Sequence, residues 1–266
     1  MLQQFFLLLF SINLLYSSEV ALEVLGSGGP ELDGRASTSY LIWIDNKARL
    51  IVDMGSGSML HFEESGAKLE SLEAVVLTHL HIDHCVDLPS FVKAGYFTPR
   101  SKSLDIIGPS GNWNFPSTSV YLKTLFGENG AYRYMKDVLE KNSDSFLIIP
   151  FDIKEKTKKK YKNFTLTLIP VHHGNVPALA VRIDIAGKSI LISGDTNDKN
   201  KNLEKIALGV DLFVAHHAIP ENAGAYATQL HMTPSIIASV ANKANVKKLL
   251  LTHRMKRTIG HEKETL

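Results

Sequence analysis

Short apolar runs that end in polar residues recur along most of the chain and predict β-strands. These runs lie at residues 20–25, 38–44, 49–53, 74–77, 104–107, 145–149, 164–169, 178–185, 189–192, 211–215 and 248–251. Helical spacing of apolar residues predicts helices at 86–95, 120–139 and 233–244, the last with Thr233 as N-cap and Pro234 at its first position. Alternating strands, loops and helices predict an α/β layered fold, with one domain over residues 19–266.

Four potential metal ligands follow the predicted strand at 74–77, namely His79, His81, Asp83 and His84. Imidazole nitrogens and carboxylates are the donors that borderline ions such as Zn²⁺ prefer. On extended backbone His79 and His81 point to one side, because side chains alternate along a strand. Asp83 and His84 are adjacent, so they need a turn to face a second position. The segment therefore predicts a site for two metal ions.

The same segment matches the signature His-x-His-x-Asp-His and resembles the metallo-β-lactamase superfamily. This resemblance implies an αββα sandwich with metals along one edge of its sheets. The phosphodiesterase-like branch, which includes ribonuclease Z and arylsulfatase-like proteins, completes its site with a third His, a bridging Asp and a last His. The matching positions here are His173, Asp195 and His253. His172 competes with His173, and the spacing to Arg182 favours His173.

The resemblance implies two Zn²⁺ ions, with Mn or Fe as alternatives on the same donors. One ion would be held by His79, His81 and His173, and the other by Asp83, His84 and His253, with Asp195 between them. This set leaves room for a water that the metals activate and Asp83 orients. His231 is implied as the second catalytic residue, an acid or oxyanion contact, and a helix-capping surface histidine is the alternative.

These features predict a binuclear metal-dependent hydrolase that cleaves a phosphodiester, sulfate ester or related ester bond in a small-molecule substrate. The open alternatives are a ribonuclease Z-like RNA endonuclease, a lactone or β-lactam hydrolase, and a non-catalytic metal-containing binding protein. Nucleic acid is the less favoured partner, because the net charge is only +2 and ribonuclease Z proteins carry a Glu where His217 falls. A homodimer is compatible with the sequence.

Other segments are assigned supporting roles. Asp53 is predicted to orient a ligand histidine or loop amides, or to lie in a surface turn, and Cys85 to be a small buried residue rather than a thiolate ligand. The glycine-rich segment 26–30 lets backbone approach a phosphate or the metal loop closely. Residues 99–149 are expected to overhang the site. The six lysines within 154–162 predict a solvated hairpin loop, with a polyanion clamp as the alternative.

Both ends of the chain carry further predictions. The apolar run at residues 5–16 precedes Ser17 and Ser18, and it predicts a signal peptide over 1–18 and a periplasmic or secreted protein. No Lys or Arg precedes the run, so an uncleaved membrane anchor or a buried helix are alternatives, although the run is short for a stable membrane span. Beyond His253 the resemblance implies a helix and a closing strand, whereas the chain ends thirteen residues later.

Overall fold

The computed structural model describes residues 18–140 and 145–265, and these residues form two six-stranded sheets. The predicted signal peptide at 1–18 lies outside the described residues, apart from Ser18, and it stays a prediction. Among the described residues, no helix has the length and apolar character needed to cross a membrane.

The first sheet follows chain order, with antiparallel pairing from β1 to β3 and parallel pairing from β3 to β6. Its strands are β1 (Val20–Gly26), β2 (Ser39–Ile44), β3 (Lys47–Val52), β4 (Ala74–Val76), β5 (Leu104–Pro109) and β6 (Ile148–Ile153). Strand β6 begins three residues later than the predicted start at 145, because the chain first buries the Phe146 ring against the outer helices.

The second sheet has the order β12-β11-β10-β9-β8-β7, antiparallel from β7 to β10 and parallel from β10 to β12. Its strands are β7 (Thr157–Lys160), β8 (Thr165–His173), β9 (Val176–Ile185), β10 (Lys188–Ile192), β11 (Leu212–His216) and β12 (Leu249–Thr252). The prediction of a solvated loop for the lysine segment is wrong in part, since β7 is an edge strand that pairs with β8.

Helices cover the outer faces of both sheets. They are α1 (Ser58–Glu64), α2 (Ile82–Cys85), α3 (Leu88–Gly95), α4 (Thr118–Phe126), α5 (Glu204–Ala207), α6 (Ala225–Thr228) and α7 (Pro234–Lys243). Short 3₁₀ helices lie at Leu69–Ser71, Arg133–Leu139, Lys256–Thr258 and Glu262–Thr265. The predicted continuous helix at 120–139 is wrong, because α4 ends at Phe126, the backbone of Gly127 is extended, and the chain resumes as a 3₁₀ helix.

Three apolar clusters separate these layers and confirm the αββα sandwich. One cluster lies between the first sheet and its helices, with Leu41, Phe91 and Phe126 among its members. A second joins the inner faces of the two sheets, and a third lies between the second sheet and its helices. Each sheet therefore buries both faces, as near-continuous apolar runs such as 74–77 require.

The segment 99–149 mainly completes the outer helical layer. Leu122, Met135, Val138 and Phe146 are fully or almost fully buried in the cluster under the first sheet. The prediction that this segment overhangs the site is therefore wrong for most of its length. The loop after β5 reaches the site edge, where Asn112 Nδ2 donates a hydrogen bond of 2.8 Å to the carbonyl of Asn175.

The strand directions bring several polar strand ends to one edge of the sandwich. Strands β4 and β5 end there in the first sheet, and β8, β10, β11 and β12 end there in the second, because these strands are parallel within their sheets. The two edges are joined directly, since the Leu179 N–H donates a 2.8 Å hydrogen bond to the carbonyl of Thr78. The polar residues that follow these strands therefore meet in one place.

Candidate metal centre

The histidine-rich segment after β4 changes from extended backbone to helix within a few residues. His79 lies on the extended part, and His81 precedes α2 with φ −69° and ψ 151°. The ring atoms His79 Nε2 and His81 Nδ1 are 2.9 Å apart, so both rings face one side as predicted. Asp83 and His84 lie in α2 and are buried. Helix α2 supplies the turn that directs Asp83 and His84 away from the first pair and towards a second group of donors.

The first group of donors consists of His79, His81, His173 and Asp195. His173 Nε2 lies 3.4 Å from His81 Nδ1 and 3.7 Å from Asp195 Oδ2. His79 Nε2 lies 3.9 Å from the same carboxylate oxygen. Ligands around a tetrahedral ion, at bond lengths of about 2.0–2.1 Å, are roughly 3.3 Å apart. The spacing of this group matches such an ion.

Strand β8 delivers His173 to this group and leaves His172 outside it. His173 Nδ1 donates a 2.8 Å hydrogen bond to the carbonyl of Leu230, which leaves Nε2 for the other donors. The backbone carbonyl of His172 accepts a 3.0 Å hydrogen bond from Thr196 Oγ1. Of the two adjacent histidines, the structure therefore brings His173 to the donor group.

The second group of donors consists of Asp83, His84 and His253. The Nε2 atoms of His84 and His253 are 3.2 Å apart, and Asp83 Oδ2 is 3.5 Å from His84 Nε2 and 3.6 Å from His253 Nε2. Asp195 adjoins this group as well, because its Oδ1 lies 3.0 Å from His253 Nε2. The Asp195 carboxylate thus lies between the two groups, and its predicted bridging of two ions stays a prediction.

His253 is held in an uncommon backbone conformation, with φ 50°. The glycine-rich segment after β1 lies against it, and a Cβ added to Gly29 would be 3.0 Å from His253 Cε1. The next residue is tied to the same segment, since the Arg254 N–H donates a 2.9 Å hydrogen bond to the carbonyl of Ser27. The structure thus packs this segment closely on the loop that carries His253.

Asp53 fixes the orientation of His84 in the second donor group. Its carboxylate accepts hydrogen bonds from the Thr78 N–H at 2.6 Å, from Thr78 Oγ1 at 2.8 Å and from His84 Nδ1 at 2.8 Å. Full burial raises the pKa of Asp53 to about 7, although the bonds from Thr78 oppose that shift. A proton on His84 Nδ1 leaves Nε2 as the free donor atom. The predicted orienting role of Asp53 is confirmed, and the surface-turn alternative is wrong.

His216 is a site residue that the sequence reasoning did not assign. Its Nδ1 lies 2.8 Å from Asp195 Oδ1, and its Nε2 lies 3.0 Å from the Tyr40 hydroxyl. Both ring nitrogens are thereby engaged, so His216 positions the Asp195 carboxylate and links it to β2. The signal available in the sequence was its place at the end of a strand, which it shares with His173. The adjacent His217 is fully buried.

Cys85 lies behind the metal loop, as predicted. It is 3% exposed, and its Sγ donates to the carbonyl of His81 at 3.2 Å. Burial raises the pKa of the thiol to about 11, so the sulfur keeps its proton. The prediction of a small buried residue is confirmed.

His231 lies in the turn between α6 and α7 and faces the donor groups. It is 8% exposed, and its Nδ1 lies 3.7 Å from Asp195 Oδ2. The N-cap position of α7 is taken by Thr233, so His231 does not cap that helix. Among the described residues its buried Nδ1 has no hydrogen-bond partner. The structure therefore places an unsatisfied imidazole nitrogen beside the shared carboxylate.

Burial and the shared Asp195 carboxylate set the charges of the donor rings. Burial lowers the pKa of His79 well below its usual range and that of His84 to about 4, so both rings are neutral donors. Burial also opposes charge on His253, yet the adjacent Asp195 raises its pKa to about 9. Imidazoles crowded around a buried carboxylate, with an unsatisfied nitrogen on His231, form a donor set that fits a divalent metal ion.

Comparisons with known proteins identify the family of this chain. A model of the metallo-β-lactamase superfamily matches residues 32–228. A ribonuclease Z of Listeria monocytogenes serotype 4a (strain HCC23) is 32% identical over 275 residues, which cover 86% of this chain and 86% of that protein. The sequence is thus similar to ribonuclease Z over most of its length.

Solved structures share the fold. The metallo-β-lactamase fold protein YhfI of Bacillus subtilis has a TM-score of 0.68 and 19% identity, covering 89% of this chain and 86% of that one. The short form of human tRNase Z has a TM-score of 0.66 and 18% identity, covering 90% of this chain and 93% of that one. The chain therefore belongs to the metallo-β-lactamase superfamily, in its ribonuclease Z-like branch, and is a metal-dependent hydrolase.

Proposed function

We propose that this protein is a binuclear zinc phosphodiesterase that cleaves RNA in the manner of ribonuclease Z. The observation that carries the proposal is the convergence of two donor groups on Asp195, with His231 beside it, in a chain 32% identical to a ribonuclease Z. This proposal replaces the expectation of a small-molecule ester substrate with nucleic acid as the less favoured partner, and takes up the ribonuclease Z-like alternative. Sulfate esters, lactones and β-lactams draw no support from the relatives reported above.

Each donor group would hold one ion. The first would bind through His79, His81 and His173, the second through Asp83, His84 and His253, and Asp195 would contact both. Zinc is proposed because imidazole nitrogen dominates both groups, as in catalytic zinc sites. When bound, the ions would lower the pKa of water and stabilise negative charge on a phosphodiester.

The side chains around the ions would do the remaining work. Asp83 Oδ2 faces His84 Nε2 and His253 Nε2 at 3.5 and 3.6 Å, where it would orient the attacking water. His231 belongs to neither donor group and its Nδ1 lies 3.7 Å from Asp195 Oδ2, where it would donate a hydrogen bond to a phosphoryl oxygen. Asp53 and His216 would hold His84 and Asp195 in orientation.

The test is hydrolysis by the full-length, zinc-loaded protein. The substrates are an RNA hairpin with a labelled single-stranded 3′ extension, bis-(p-nitrophenyl) phosphate and p-nitrophenyl sulfate. We expect cleavage of the RNA and of the phosphodiester, and loss of both in Asp195→Ala. Turnover of the chromogenic phosphodiester without any RNA cleavage would instead identify a small-molecule phosphodiesterase. Full metal content with no turnover of any substrate would favour a binding protein.

Export of the protein is a separate proposal. It rests on the apolar run at residues 5–16, which lies outside the described residues. An exported enzyme would have to meet its RNA substrate outside the cytoplasm. Fractionation of the producing cell, with detection of the chain by antibody, decides the location independently of the enzyme assay.

A further inference from the structure

A loop and a strand end lie side by side on the edge that carries the metal centre. After β5, the Ser110 N–H donates a 2.9 Å hydrogen bond to the carbonyl of Ile153, the last residue of β6. Two residues later, Asn112 Nδ2 donates a 2.8 Å hydrogen bond to the carbonyl of Asn175, which follows His173 closely in sequence. The loop therefore bridges the end of β6 and the turn that carries a metal donor.

The tip of this loop presents an indole ring to solvent. Trp113 is 99% exposed. The backbone beneath it is fixed, because Asn112 Oδ1 accepts hydrogen bonds from the N–H groups of Asn114 at 2.8 Å and Phe115 at 3.0 Å. The indole face is therefore open to solvent on an ordered turn, where a base could stack on it.

Exposed lysines begin where this loop meets β6. Lys154, Lys156, Lys158 and Lys160 are all exposed, and in the part of the chain that the structure describes none has an ion-pair partner. Lys159 differs, since it points inward, pairs with Asp105 at 3.2 Å and lies 3.5 Å from the centre of the Phe151 ring. The outward-facing lysines of β7 therefore keep their positive charge without an ion-pair partner among the described residues, whereas Lys159 is paired with Asp105.

The lysines lie within reach of the metal centre. Thr157 pairs with Leu168, five residues before His173 on β8. At about 3.4 Å per residue this is roughly 17 Å along the strand. Lys154 and Lys156 precede Thr157 and lie closer to the metal edge. A nucleic-acid strand of a few nucleotides spans such a distance.

We propose that Trp113, Lys154, Lys156 and Lys158 form a track that binds single-stranded RNA beside the scissile phosphodiester. The indole would stack on a base, and the ammonium groups would contact successive phosphates, which is how proteins bind single strands without reading sequence. This inference rests on the proposed RNA substrate. Lysines alone would also serve to keep an open sheet edge from pairing with another chain. The exposed Trp113 on the same path has no such explanation.

Binding is measured apart from turnover, by fluorescence anisotropy of a labelled single-stranded RNA with the full-length, zinc-loaded chain in the His231→Ala background. We expect Trp113→Ala to raise Kd about tenfold and Trp113→Phe to restore most of the affinity. The triple variant Lys154→Gln, Lys156→Gln and Lys158→Gln should reduce the slope of log Kd against log salt by about 2, as three lost phosphate contacts predict.

Matched control variants carry the same kinds of substitution at exposed positions away from the track. Lys68, Lys188 and Lys248 are exposed and lie away from the track, so their triple change to Gln should leave the salt slope within about 0.5 of the parent, less than one lost phosphate contact. Phe97 is 82% exposed beyond α3, and Phe97→Ala should leave Kd unchanged.

An unchanged Kd in Trp113→Ala, or equal slopes for the two lysine triples, would overturn the track. If RNA is cleaved at the same time, the proposed function survives that result. Failure of the parent protein to bind RNA at low salt would also overturn the track, and the separate cleavage assay would then decide the proposed function.

Discussion

Asp195 is the residue around which the site is arranged. Ring nitrogens of six histidines lie between 2.8 and 3.9 Å from its carboxylate. Burial alone would favour the protonated acid, but the surrounding imidazoles, His253 first among them, hold the pKa of Asp195 well below its usual range. The carboxylate therefore stays ionised and available to a cation at neutral pH.

His231 belongs to neither donor group, and unlike His216 it has a ring nitrogen, Nδ1, without a hydrogen-bond partner among the described residues. We expect His231→Ala to lower kcat about 10²- to 10⁴-fold, with little change in KM or in bound metal, because it would remove the proposed contact to the reacting phosphoryl group. Steady-state kinetics with bis-(p-nitrophenyl) phosphate and metal analysis measure both effects.

The control for this change is His172→Ala, which alters a neighbouring histidine outside both donor groups. It should keep the parent kcat. A kcat loss in His231→Ala of less than about threefold, or a loss of metal from that variant, would show that His231 is not a contact to substrate.

At the scale of elements, the loop after β3 supports the helix that carries Asp83 and His84. The Met54 N–H donates a 2.7 Å hydrogen bond to the carbonyl of His84. Gly55 packs so closely on α2 that an added Cβ would overlap the carbonyl oxygen of Asp83 and the Ser37 side chain. The position of the second donor group thus depends on a glycine far from it in sequence.

Gly55→Ala tests this dependence. We expect the variant to fold with a Tm lower by several degrees and to bind less than the full complement of metal, because α2 must move to admit the methyl group. Gly224→Ala is the matched control, since Gly224 has φ −67° and no atom within 4 Å of an added Cβ. Equal Tm and metal content in the two variants would contradict this account.

Several elements could be read from the sequence and others could not. Apolar runs such as 74–77 and 189–192 identify buried strands, because both faces of each strand are covered. The break in the helix at Gly127 and the edge strand β7 were not predicted. The break depends on one residue, and β7 is a lysine run that forms a strand only because it pairs with β8. His216 was not predicted as a site residue, because its role comes from contacts with Asp195 and Tyr40, which are distant in sequence.

The whole molecule holds its donors on both sheets. Strand β4 of the first sheet leads to His79, His81, Asp83 and His84, and strands of the second sheet lead to His173, Asp195 and His253. Each proposed ion would therefore bridge the two halves of the sandwich. Metal binding would therefore be coupled to the packing of the two sheets.

The most direct test of the binuclear account is the metal content of the purified, full-length protein by mass spectrometry. The account predicts about two zinc ions per chain, and a clear loss of bound metal together with loss of phosphodiester hydrolysis in Asp195→Ala. One ion or none in the active parent protein would contradict it. Full metal content with undiminished hydrolysis in Asp195→Ala would contradict it equally.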